Sequence, residues 1–568
     1  MVILGICGAL THDPSAALII DGKVVAAADE ERFTRKKHAE GQLPINAIRF
    51  CLETAGLKPE DIDHVAYPWS TDIYHQLKWR VARRILFKRT SRAFKAVTQE
   101  KKKNEAALKK LYDTLMLAHI DRSRVKIHLV EHHMAHAASA FYLSGFKESA
   151  ILSLDGAGEL TTCLFAESKN GKIEKLHEIV FSDSLGYFYS TVTAYLGFEI
   201  GDGEYKVMGM APYGDPAKIQ ISHIIWPHGK DFRVADDYVW PIRTQRYHPD
   251  VLIPKKMVHE WGPPRIGDSL AEPYIHVAAA TQKVFEDIVM HLLENRLRKS
   301  LARTGNLCFA GGCALNVSLN RRLIRHPLVK QLWVQPSSHD SGTSLGAAVH
   351  VAAQFGDRIA PMEHVYLGPE FTNAQIEPVL KASGFKFEKC ADICETASSL
   401  LKEGKIVGWF QGKMEWGPRA LGNRSILGNP TIRGTNDRIN AIIKFRERWR
   451  PFCPSMLKEY AADILGSDHP APFMTFAFDV APHWKERIPE AVHVDGTCRP
   501  QVVDERHNPK FHRLISLFHK KTGVPVVINT SLNRRGEPMI CSPQDAILMF
   551  RESGLEYLTI GDYLVKKS

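Results

Sequence analysis

Two stretches of this chain share one pattern of strand and turn residues, and this repeat constrains the fold more than any other feature. The first copy begins near Val2 and runs VILGICG, a turn containing His12 and Asp13, then SAALIIDG and KVVAAADEERF. The second begins near Ala150 and runs AILSLDG, AGELTTCLFAESKNG and KIEKLHEIVF. In each copy, strand-forming runs are separated by a glycine-containing turn and then by a tight DG or NG turn, which predicts a three-stranded meander.

A duplicated meander of this kind is typical of the actin, sugar-kinase and heat-shock ATPase folds, in which the first turn of each copy faces a nucleotide phosphate. Chance similarity between two meanders is the alternative. A stretch rich in Pro and Gly, GDRIAPMEHVYLGPEFT, interrupts the pattern at 356–372. We therefore predict a duplicated α/β domain over 1–360, with a basic helical insertion at about 75–115, and a second α/β domain over 370–568.

The composition is that of an ordinary globular protein of 568 residues, with 44% apolar and 24% charged residues. There is no apolar run long enough to span a membrane, and MVILGICG lacks the basic flank of a signal peptide. The ten cysteines form no CxxC pair. This argues against a disulfide framework or a zinc ribbon and predicts a cytoplasmic protein.

The net charge of +11 comes from one segment. Residues 78–110 hold 13 Lys and Arg against two Glu, so this segment carries the whole excess and the rest of the chain is neutral. Two interpretations stay open: a solvated helical hairpin inserted in the first domain, or an arm that binds an anionic ligand or nucleic acid.

The segment EHHMAHAASAFY indicates a metal site. His132 and His136 are four residues apart, so on a helix they share one face, although purely structural histidines are the alternative. The Glu of HExxH is missing, which excludes a zinc-protease interpretation. Asp155 ends the strand ILSLD and Asp340 precedes a helix, both where the duplicated fold converges on its cleft. Two imidazoles and two carboxylates suit Fe, Mn or Zn, and His133 is expected outside this set.

Turn residues of the first domain favour a nucleotide nearby. Gly311 and Gly312 stand between a strand and a helix, and Gly156 lies in the first turn of the second copy. Glycines in such turns allow the backbone to approach a nucleotide at a helix N-terminus. His12, in the first turn of the first copy, can act as a general base toward a hydroxyl, or be a plain turn residue.

The second domain carries two cationic segments. GKMEWGPRALGNRSILGNP holds Arg419 and Arg424, and KFRERWRPF has a basic residue at every second position from Lys444 to Arg450. If this second segment is extended, its cations share one face and favour a phosphorylated small ligand; a solvated edge strand is the alternative. The segment VVINTSLNRRGEP adds polar side chains at a strand end, Asn529, Thr530, Ser531 and Asn533.

The sequence has no P-loop signature. There is no GxxxxGK[ST] and no Cys-His nucleophile pattern, so P-loop functions are disfavoured, and a hydrolase is not expected either. The chain does carry, in this order, HDPSAALIIDG, EERFTRKKH, HHMAHAASAFY, LDGAGE, GGCALN, HDSGTSLGAA, WGPRALGNRSIL, KFRERWRPFCPS and NTSLN. From about residue 2 to 560 it resembles the ATP-dependent O-carbamoyltransferases, which modify nodulation factors, cephem antibiotics and aminoglycosides such as tobramycin.

The resemblance implies a two-step enzyme with a Kae1-like first domain and a YrdC-like second domain. The second would make carbamoyl-adenylate from carbamoyl phosphate and ATP, with Mg²⁺, releasing phosphate and pyrophosphate. The first would transfer the carbamoyl group to a hydroxyl of a small molecule, with His12 as the base. By the same resemblance, the iron(II) ligands are His132, His136, Asp155 and Asp340.

The resemblance also implies a carbamoyl-phosphate and nucleotide site in the second domain. Its residues are Arg419, Lys444, Arg450 and Ser531, and Arg419 and Lys444 are expected to be catalytic. In the first domain Gly311, Gly312 and Asn316 fall in the turn that faces the adenylate.

The expected acceptor is a sugar or other alcohol of a secondary metabolite, as in antibiotic biosynthesis, and a homodimer is plausible for the family. No membrane or nucleic-acid partner is expected. Two alternatives stay open: threonylcarbamoyl transfer to tRNA, and a non-catalytic actin-fold nucleotide-binding protein.

Overall fold

The computed structural model describes residues 1–8, 12–71, 90–239 and 253–567, with only the backbone for 90–101, 103 and 104. The chain forms two compact units. Unit 1 comprises Met1–Val25 and Gly41–Met362, and unit 2 comprises Ala26–Glu40 and Glu363–Ser568. The break between Met362 and Glu363 falls in the stretch rich in Pro and Gly. The sequence pattern did not predict that the segment 26–40 belongs with the C-terminal residues.

Unit 1 is built on two five-stranded sheets that repeat one topology. The strands of the first half are β1 Val2–Cys7, β2 Ser15–Ile20, β3 Lys23–Asp29, β4 His64–Tyr67 and β5 Lys126–Leu129. Strand β3 begins in unit 1, and its residues from Ala26 onward are assigned to unit 2. Those of the second half are β6 Ala150–Gly158, β7 Thr161–Lys169, β8 Lys172–Val180, β9 Ile225–His228, β10 Asp231–Val234, β11 Asn306–Ala310 and β12 Gln331–Val334. Strands β9 and β10 form a separate antiparallel hairpin.

The strand orders are β3-β2-β1-β4-β5 and β8-β7-β6-β11-β12. In the first sheet, β1 is antiparallel to β2 and parallel to β4, which is parallel to β5. In the second, β6 is antiparallel to β7 and parallel to β11, which is parallel to β12. The same order and directions in both sheets confirm the predicted duplication.

The helices of unit 1 are α1 Ile45–Ala55, α2 Thr90–Leu117, α3 His132–Ser144, α4 Leu185–Tyr195, α5 Glu204–Met210, α6 Lys255–Trp261, α7 Tyr274–Leu292, α8 Arg298–Thr304, α9 Val317–Ile324 and α10 Gly342–Gln354. A π-helical turn, Leu293–Leu297, joins α7 to α8. Among the helices of the described residues, none is both long and apolar enough to cross a lipid bilayer.

Helix α3 is an internal helix. Nearly all of its side chains are buried, including both of its site histidines, so it has no polar face of the kind that a surface helix presents to water. It packs against α10 at Gly346, where an added Cβ would lie 1.9 Å from the carbonyl oxygen of Ala135. Glycine at this position therefore permits the close approach of the two helices that carry or adjoin the candidate metal site.

The basic segment 78–110 is only partly described. Residues 78–89 lie outside the described residues, and the remainder belongs to α2. The side chains of its residues 90–101, 103 and 104 are likewise outside the description.

Unit 2 contains an eight-stranded mixed sheet in the order β13-β22-β21-β14-β15-β20-β16-β19, and a small hairpin of β17 and β18. Its strands are β13 Lys386–Lys389, β14 Val407–Phe410, β15 Arg424–Gly428, β16 Cys453–Leu457, β17 Phe478–Asp479, β18 Thr497–Cys498, β19 Gln501–Val503, β20 Val526–Ser531, β21 Tyr557–Ile560 and β22 Tyr563–Lys566. The mixed sheet confirms a second α/β unit.

The helices of unit 2 are α11 Asn373–Ser383, α12 Ile393–Lys402, α13 Thr435–Ile439, α14 Lys458–Leu465, α15 Pro509–Thr522 and α16 Pro543–Glu552. A π-helical turn, Asn440–Lys444, continues α13, and single-turn helices occupy Glu31–Thr34 and Pro482–Lys485.

The segment from Lys444 to Arg450 is not an extended strand. Lys444 ends the π-helical turn and is buried, and Phe445 follows in the left-handed region with φ 46°. The prediction that alternate cations share one strand face is therefore wrong. The ammonium of Lys444 bonds instead to partly buried acceptors of Ser531 and Asn533.

Candidate metal centre and active site

Four side chains of unit 1 bring one ligand atom each to a common point. His132 and His136 lie one turn apart on α3, Asp155 lies in β6, and Asp340 precedes the first turn of α10. Their ligand atoms are all within 4.8 Å of one another. The structure thus brings together the four residues that the sequence analysis assigned to a metal.

The two imidazoles face the same carboxylate oxygen. The Nε2 atoms of His132 and His136 are 3.1 Å apart and lie 3.4 and 3.1 Å from Oδ2 of Asp155. Oδ1 of Asp340 is 3.6 Å from the first nitrogen and 3.8 Å from the second. Both histidines are buried, and the side chains of Asp155 and Asp340 are only 17% and 10% exposed.

The charges at this point fit a cation. Burial alone would lower the pKa of His132, but its hydrogen bond to Asp155 and the charge of Asp340 outweigh burial and raise the pKa to about 9. Burial would likewise raise the pKa of Asp155, yet the two histidines hold it well below its usual value. A divalent ion can take the place of these protons, because neutral imidazoles and carboxylates are its ligands. Two nitrogens and two oxygens are a donor set for Fe, Mn or Zn.

Glu159 is a site residue that the sequence analysis quoted only as part of LDGAGE. Its buried carboxylate accepts the backbone N–H of Ser70 at 2.8 Å and that of His132 at 3.2 Å, at the first residue of α3. Burial raises the pKa of this carboxyl to about 7. Its backbone has φ 46°, uncommon for a residue other than glycine. Glu159 therefore fixes the start of the helix that carries both histidines.

His133 lies outside the ligand set, as expected. Its ring nitrogens are 2.8 Å from Oγ of Ser153 and 2.9 Å from the carbonyl oxygen of Thr161. Burial and the two neighbouring histidines hold its pKa well below 6.5, so the ring is neutral. Because both nitrogens are occupied, this histidine is a structural one.

His12 adjoins the cluster. Its Nδ1 is 2.8 Å from Oδ2 of Asp13, and its Nε2 is 3.8 Å from Oδ2 of Asp340. The side chain is 30% exposed, unlike the buried ligand histidines. The structure thus places the predicted base beside the candidate metal ligands, with its ring partly open to solvent.

Gly156 of β6, together with Gly311 and Gly312 after β11, packs around Asp155 and the residue before it. The backbone N–H of Gly156 donates to Oδ1 of Asp155 at 2.7 Å, and a Cβ on Gly312 would lie 3.1 Å from the same oxygen. Gly311 has φ 92°, and a Cβ there would lie 2.1 Å from the carbonyl oxygen of Leu154. Only glycine lets this turn approach the cluster so closely.

Asn316 is engaged in a helix cap. Its side-chain oxygen accepts the N–H of Leu319 at 3.0 Å as the N-cap of α9, and its amide nitrogen donates to Gln282 at 2.9 Å. A role in nucleotide binding at this position would therefore use the backbone, or require the cap to be broken.

In unit 2, the structure brings Lys444 and Ser531 together. The buried Nζ of Lys444 donates to both oxygens of Ser531, to the carbonyl oxygen of Asn533 at 3.0 Å and to its Oδ1 at 2.7 Å. Burial, followed by the nearby cations Arg446 and Arg450, lowers the pKa of Lys444 well below its usual value. A bound anion would stabilise the charged form of Lys444 in this setting.

The remaining cations of unit 2 differ in their surroundings. Arg419 is partly buried on the loop between β14 and β15, and Nη1 of Arg450 is 3.5 Å from Oε2 of Glu447. Arg424 is fully buried over the ring of Phe410, at 3.8 Å, and burial lowers its pKa to about 10.

The guanidinium of Arg424 donates to the backbone carbonyls of Gln411, Gly412, Asn423 and Pro369. This arginine therefore holds the chain around β15 rather than offering its charge to a ligand. Asn529 is also internal, because its amide donates to Ala420, Ser455 and Gln501.

Comparison with known proteins gives matches along nearly the whole chain. A family model described as Carbamoyltransferase N-terminus matches residues 2–349, and one described as Carbamoyltransferase C-terminus matches residues 398–567. An uncharacterized protein of Synechocystis sp., sll1178, is 35% identical over all of this chain and 97% of its own length.

Two nodulation proteins are similar as well. Nodulation protein NolNO of Sinorhizobium fredii is 37% identical over 98% of this chain and 79% of its own length. Nodulation protein NolO of Bradyrhizobium diazoefficiens is 37% identical over 77% of this chain and 79% of its own length.

Proposed function

The chain belongs to the carbamoyltransferase family, and from this premise we propose that it is an ATP-dependent O-carbamoyltransferase that works in two steps. Unit 2 forms carbamoyl-adenylate from carbamoyl phosphate and ATP with Mg²⁺. Unit 1 then transfers the carbamoyl group to a hydroxyl of a small-molecule acceptor. The observation that carries the proposal is the convergence of His132, His136, Asp155 and Asp340 beside the imidazole of His12.

In the first step, carbamoyl phosphate reacts with water to give carbamate and phosphate. A carbamate oxygen then attacks the α-phosphorus of ATP, the bond to the β-phosphate oxygen breaks, and pyrophosphate leaves. Both substrates are phosphate anions, which suit arginine forks and a desolvated lysine. We assign their binding to Arg419, Lys444 and Arg450, with Ser531 holding the ammonium of Lys444 in place.

In the second step, the acceptor hydroxyl oxygen attacks the carbamoyl carbon and the bond to AMP breaks. The hydroxyl proton moves to Nε2 of His12, because Asp13 accepts the N–H of Nδ1 and leaves Nε2 free to take a proton. AMP leaves with the electron pair of the broken bond. Glu159 holds His132 and the start of α3 in place during the transfer step.

The four ligand residues fit a divalent metal, and the family resemblance makes iron(II) the proposed ion. When bound there it would supply Lewis-acid stabilisation of negative charge near His12.

We propose a sugar hydroxyl as the acceptor. Support comes from the resemblance to enzymes that carbamoylate nodulation factors and aminoglycosides, and from relatives named as nodulation proteins. Acceptor pockets are built from loops that vary within a fold, so the proposal extends to the chemical class and no further.

The test begins without an acceptor. The protein is incubated with ATP, Mg²⁺, iron(II) and carbamoyl phosphate, pyrophosphate is assayed, and carbamoyl-adenylate is sought by mass spectrometry. We expect pyrophosphate release that requires carbamoyl phosphate, is lost in Arg419→Ala and persists in His136→Ala. A well-folded sample without carbamoyl-dependent turnover would overturn the activation step.

The second stage adds acceptors. Labelled carbamoyl phosphate is supplied with an aminoglycoside, a chitin oligosaccharide or tRNA, and the labelled product is identified. Label on a sugar hydroxyl supports the proposal, and label on tRNA alone replaces it with the tRNA alternative.

A further inference from the structure

The segment Ala26–Glu40 is part of unit 2, although it lies more than three hundred residues from the rest of that unit in the chain. It includes the end of β3 and the single-turn helix Glu31–Thr34. Its Phe33 packs against a small apolar cluster of unit 2, which contains Met414, Ala420, Met539 and Cys541. The segment is therefore a structural component of unit 2.

Arg32 is the buried cation of this segment. Its side chain is 6% exposed, and its guanidinium lies 2.8 Å from Oε1 of Glu31 and 3.4 Å from Oδ2 of Asp29. Nη2 also donates to the carbonyl oxygen of Gly417 at 3.0 Å. Two carboxylates from its own segment hold the guanidinium, and Nη2 alone reaches a peptide of the loop between β14 and β15.

That loop is closed on itself by a buried carboxylate. Oε1 of Glu415 accepts the backbone N–H groups of Leu421, Asn423 and Arg424 at 2.7, 2.8 and 3.2 Å. Glu415 therefore ties the two ends of a tight arc together. Between those ends, Ala420 accepts a hydrogen bond from Asn529, and a second contact is made near the start of the arc. Gly417, at the start of the arc with φ 104°, receives that contact from Arg32.

Arg419 follows Gly417 by two residues and is the proposed phosphate-binding arginine of this loop. We propose that Arg32 is a positioning residue for Arg419: by holding the Gly417 peptide it sets where the Arg419 side chain leaves the loop. The activation step then depends on a segment that lies near the N-terminus of the sequence. The expected effect on activation kinetics rests on the proposed function. The expected effect on the loop rests on the hydrogen bonds alone.

Arg35 provides a matched control in the same segment. Its guanidinium donates to the carbonyl oxygens of Met539 at 2.7 Å and Pro538 at 2.8 Å, and lies 3.4 Å from Asp545. Like Arg32 it is an arginine bound to backbone carbonyls of unit 2, but those carbonyls belong to a different stretch. If a substitution only loosens the segment, variants of Arg32 and of Arg35 will change the protein alike. If Arg32 positions the loop, only variants of Arg32 will change the loop.

The experiment uses the full chain and the variants Arg32→Met, Arg32→Lys and Arg35→Met. Amide hydrogen exchange is followed at Leu421 and Asn423, with β14 as the internal reference. In Arg32→Met we expect exchange at these amides to become about tenfold faster or more, because a charge-assisted hydrogen bond is lost. We expect the KM for carbamoyl phosphate in pyrophosphate release to rise by a similar factor, with intermediate values in Arg32→Lys.

The outcomes separate the inference about Arg32 from the proposed function. Unchanged exchange and unchanged KM in Arg32→Met, or equal changes in Arg35→Met, would overturn the inference. If Arg32→Met does not fold, Arg32→Lys decides by the same two measurements. If the wild-type chain releases no carbamoyl-dependent pyrophosphate but exchange responds to Arg32 alone, Arg32 holds the loop and it is the proposed function that fails.

Discussion

Nδ1 of His12 lies 2.8 Å from Oδ2 of Asp13, and Nε2 of the same ring lies 3.8 Å from Oδ2 of Asp340. One ring nitrogen is thus bonded to a neighbouring carboxylate, and the other points to the candidate metal-binding residues. In the proposed reaction, this second nitrogen is the one that would take the proton of the acceptor hydroxyl.

Replacing His12 should therefore affect transfer and spare activation. In His12→Ala we expect transfer to the acceptor to slow by about 10²–10⁴-fold, the usual contribution of a general base. Asp13→Asn should cause a smaller loss, because the imidazole remains while its orientation is weakened. Pyrophosphate release in the absence of acceptor should be unchanged in both variants, and labelled-product assays measure the transfer rate. His228→Ala, at an exposed histidine of β9, is the control; a loss there equal to that in His12→Ala would contradict the assignment.

Metal binding should depend on His136 and not on its neighbour His133. Both are buried on α3, but His136 faces Asp155, whereas His133 is bonded to Ser153 and Thr161. Anaerobically reconstituted wild-type protein should hold about one iron per chain by elemental analysis, and His136→Ala should lose it. His133→Gln, with its fold checked by circular dichroism, should retain the metal. Equal metal content in all three proteins would rule out this site.

Arg424 should matter for stability more than for ligand binding. Its guanidinium is fully buried and donates to four backbone carbonyls. In Arg424→Met these carbonyls lose their donors, so we expect the free energy of unfolding to fall by about 3 kcal/mol. Urea denaturation measures the change. Arg433→Met, at an exposed arginine of unit 2, should change it by less than about 0.5 kcal/mol. If Arg424→Met also lowers the free energy of unfolding by less than about 0.5 kcal/mol, the hydrogen bonds of its guanidinium are dispensable for stability.

Glu167 should make stability depend on acidity. Its carboxylate contacts Lys169, Oγ of Ser300 at 2.6 Å and Nη2 of Arg303 at 3.0 Å. Burial would raise its pKa, but the hydrogen bonds from Lys169 and the other two donors outweigh burial and lower the pKa from 4.5 to about 2. The folded state then keeps the carboxylate ionised where the unfolded chain is protonated. This stabilisation is present above pH 4.5 and is lost as the pH falls toward 2.

We therefore expect Glu167→Gln to lower the free energy of unfolding by about 1 kcal/mol at neutral pH, a value reduced for solvent screening. The difference from wild type should shrink as the pH falls below the pKa of the unfolded carboxyl. Glu174→Gln, at the more exposed partner of Lys169, is the control and should show little change at any pH. A constant difference between Glu167→Gln and wild type across this range would contradict the pKa shift.

The sequence indicated the parts of the site that depend on local spacing. His132 and His136 share a helix face because four residues make about one turn, and the two meanders follow from alternating apolar runs and tight turns. The pairing of those histidines with Asp155 and Asp340 was inferred from the duplicated fold, and the geometry brings the four together.

The alternation of cations from Lys444 to Arg450 predicted a shared strand face if the segment was extended. The segment is not a strand, because Lys444 ends a π-helical turn, where it bonds to the partly buried Ser531 and Asn533. Arg424 was expected at a ligand and lies instead among carbonyls. In both cases a charged residue type was visible in the sequence, but its burial depended on the elements packed around it.

What the sequence alone determined is the two meanders and the helix face that carries both site histidines, because hydrogen-bonding pattern and side-chain direction within a helix or meander depend on residues a few positions apart. What only the tertiary structure decided is which distant groups meet: Glu159 with the start of α3, and Arg32 with Gly417 across 385 positions. Such contacts carry no periodic signal, since they arise when elements pack and buried polar groups must find partners wherever the chain brings them.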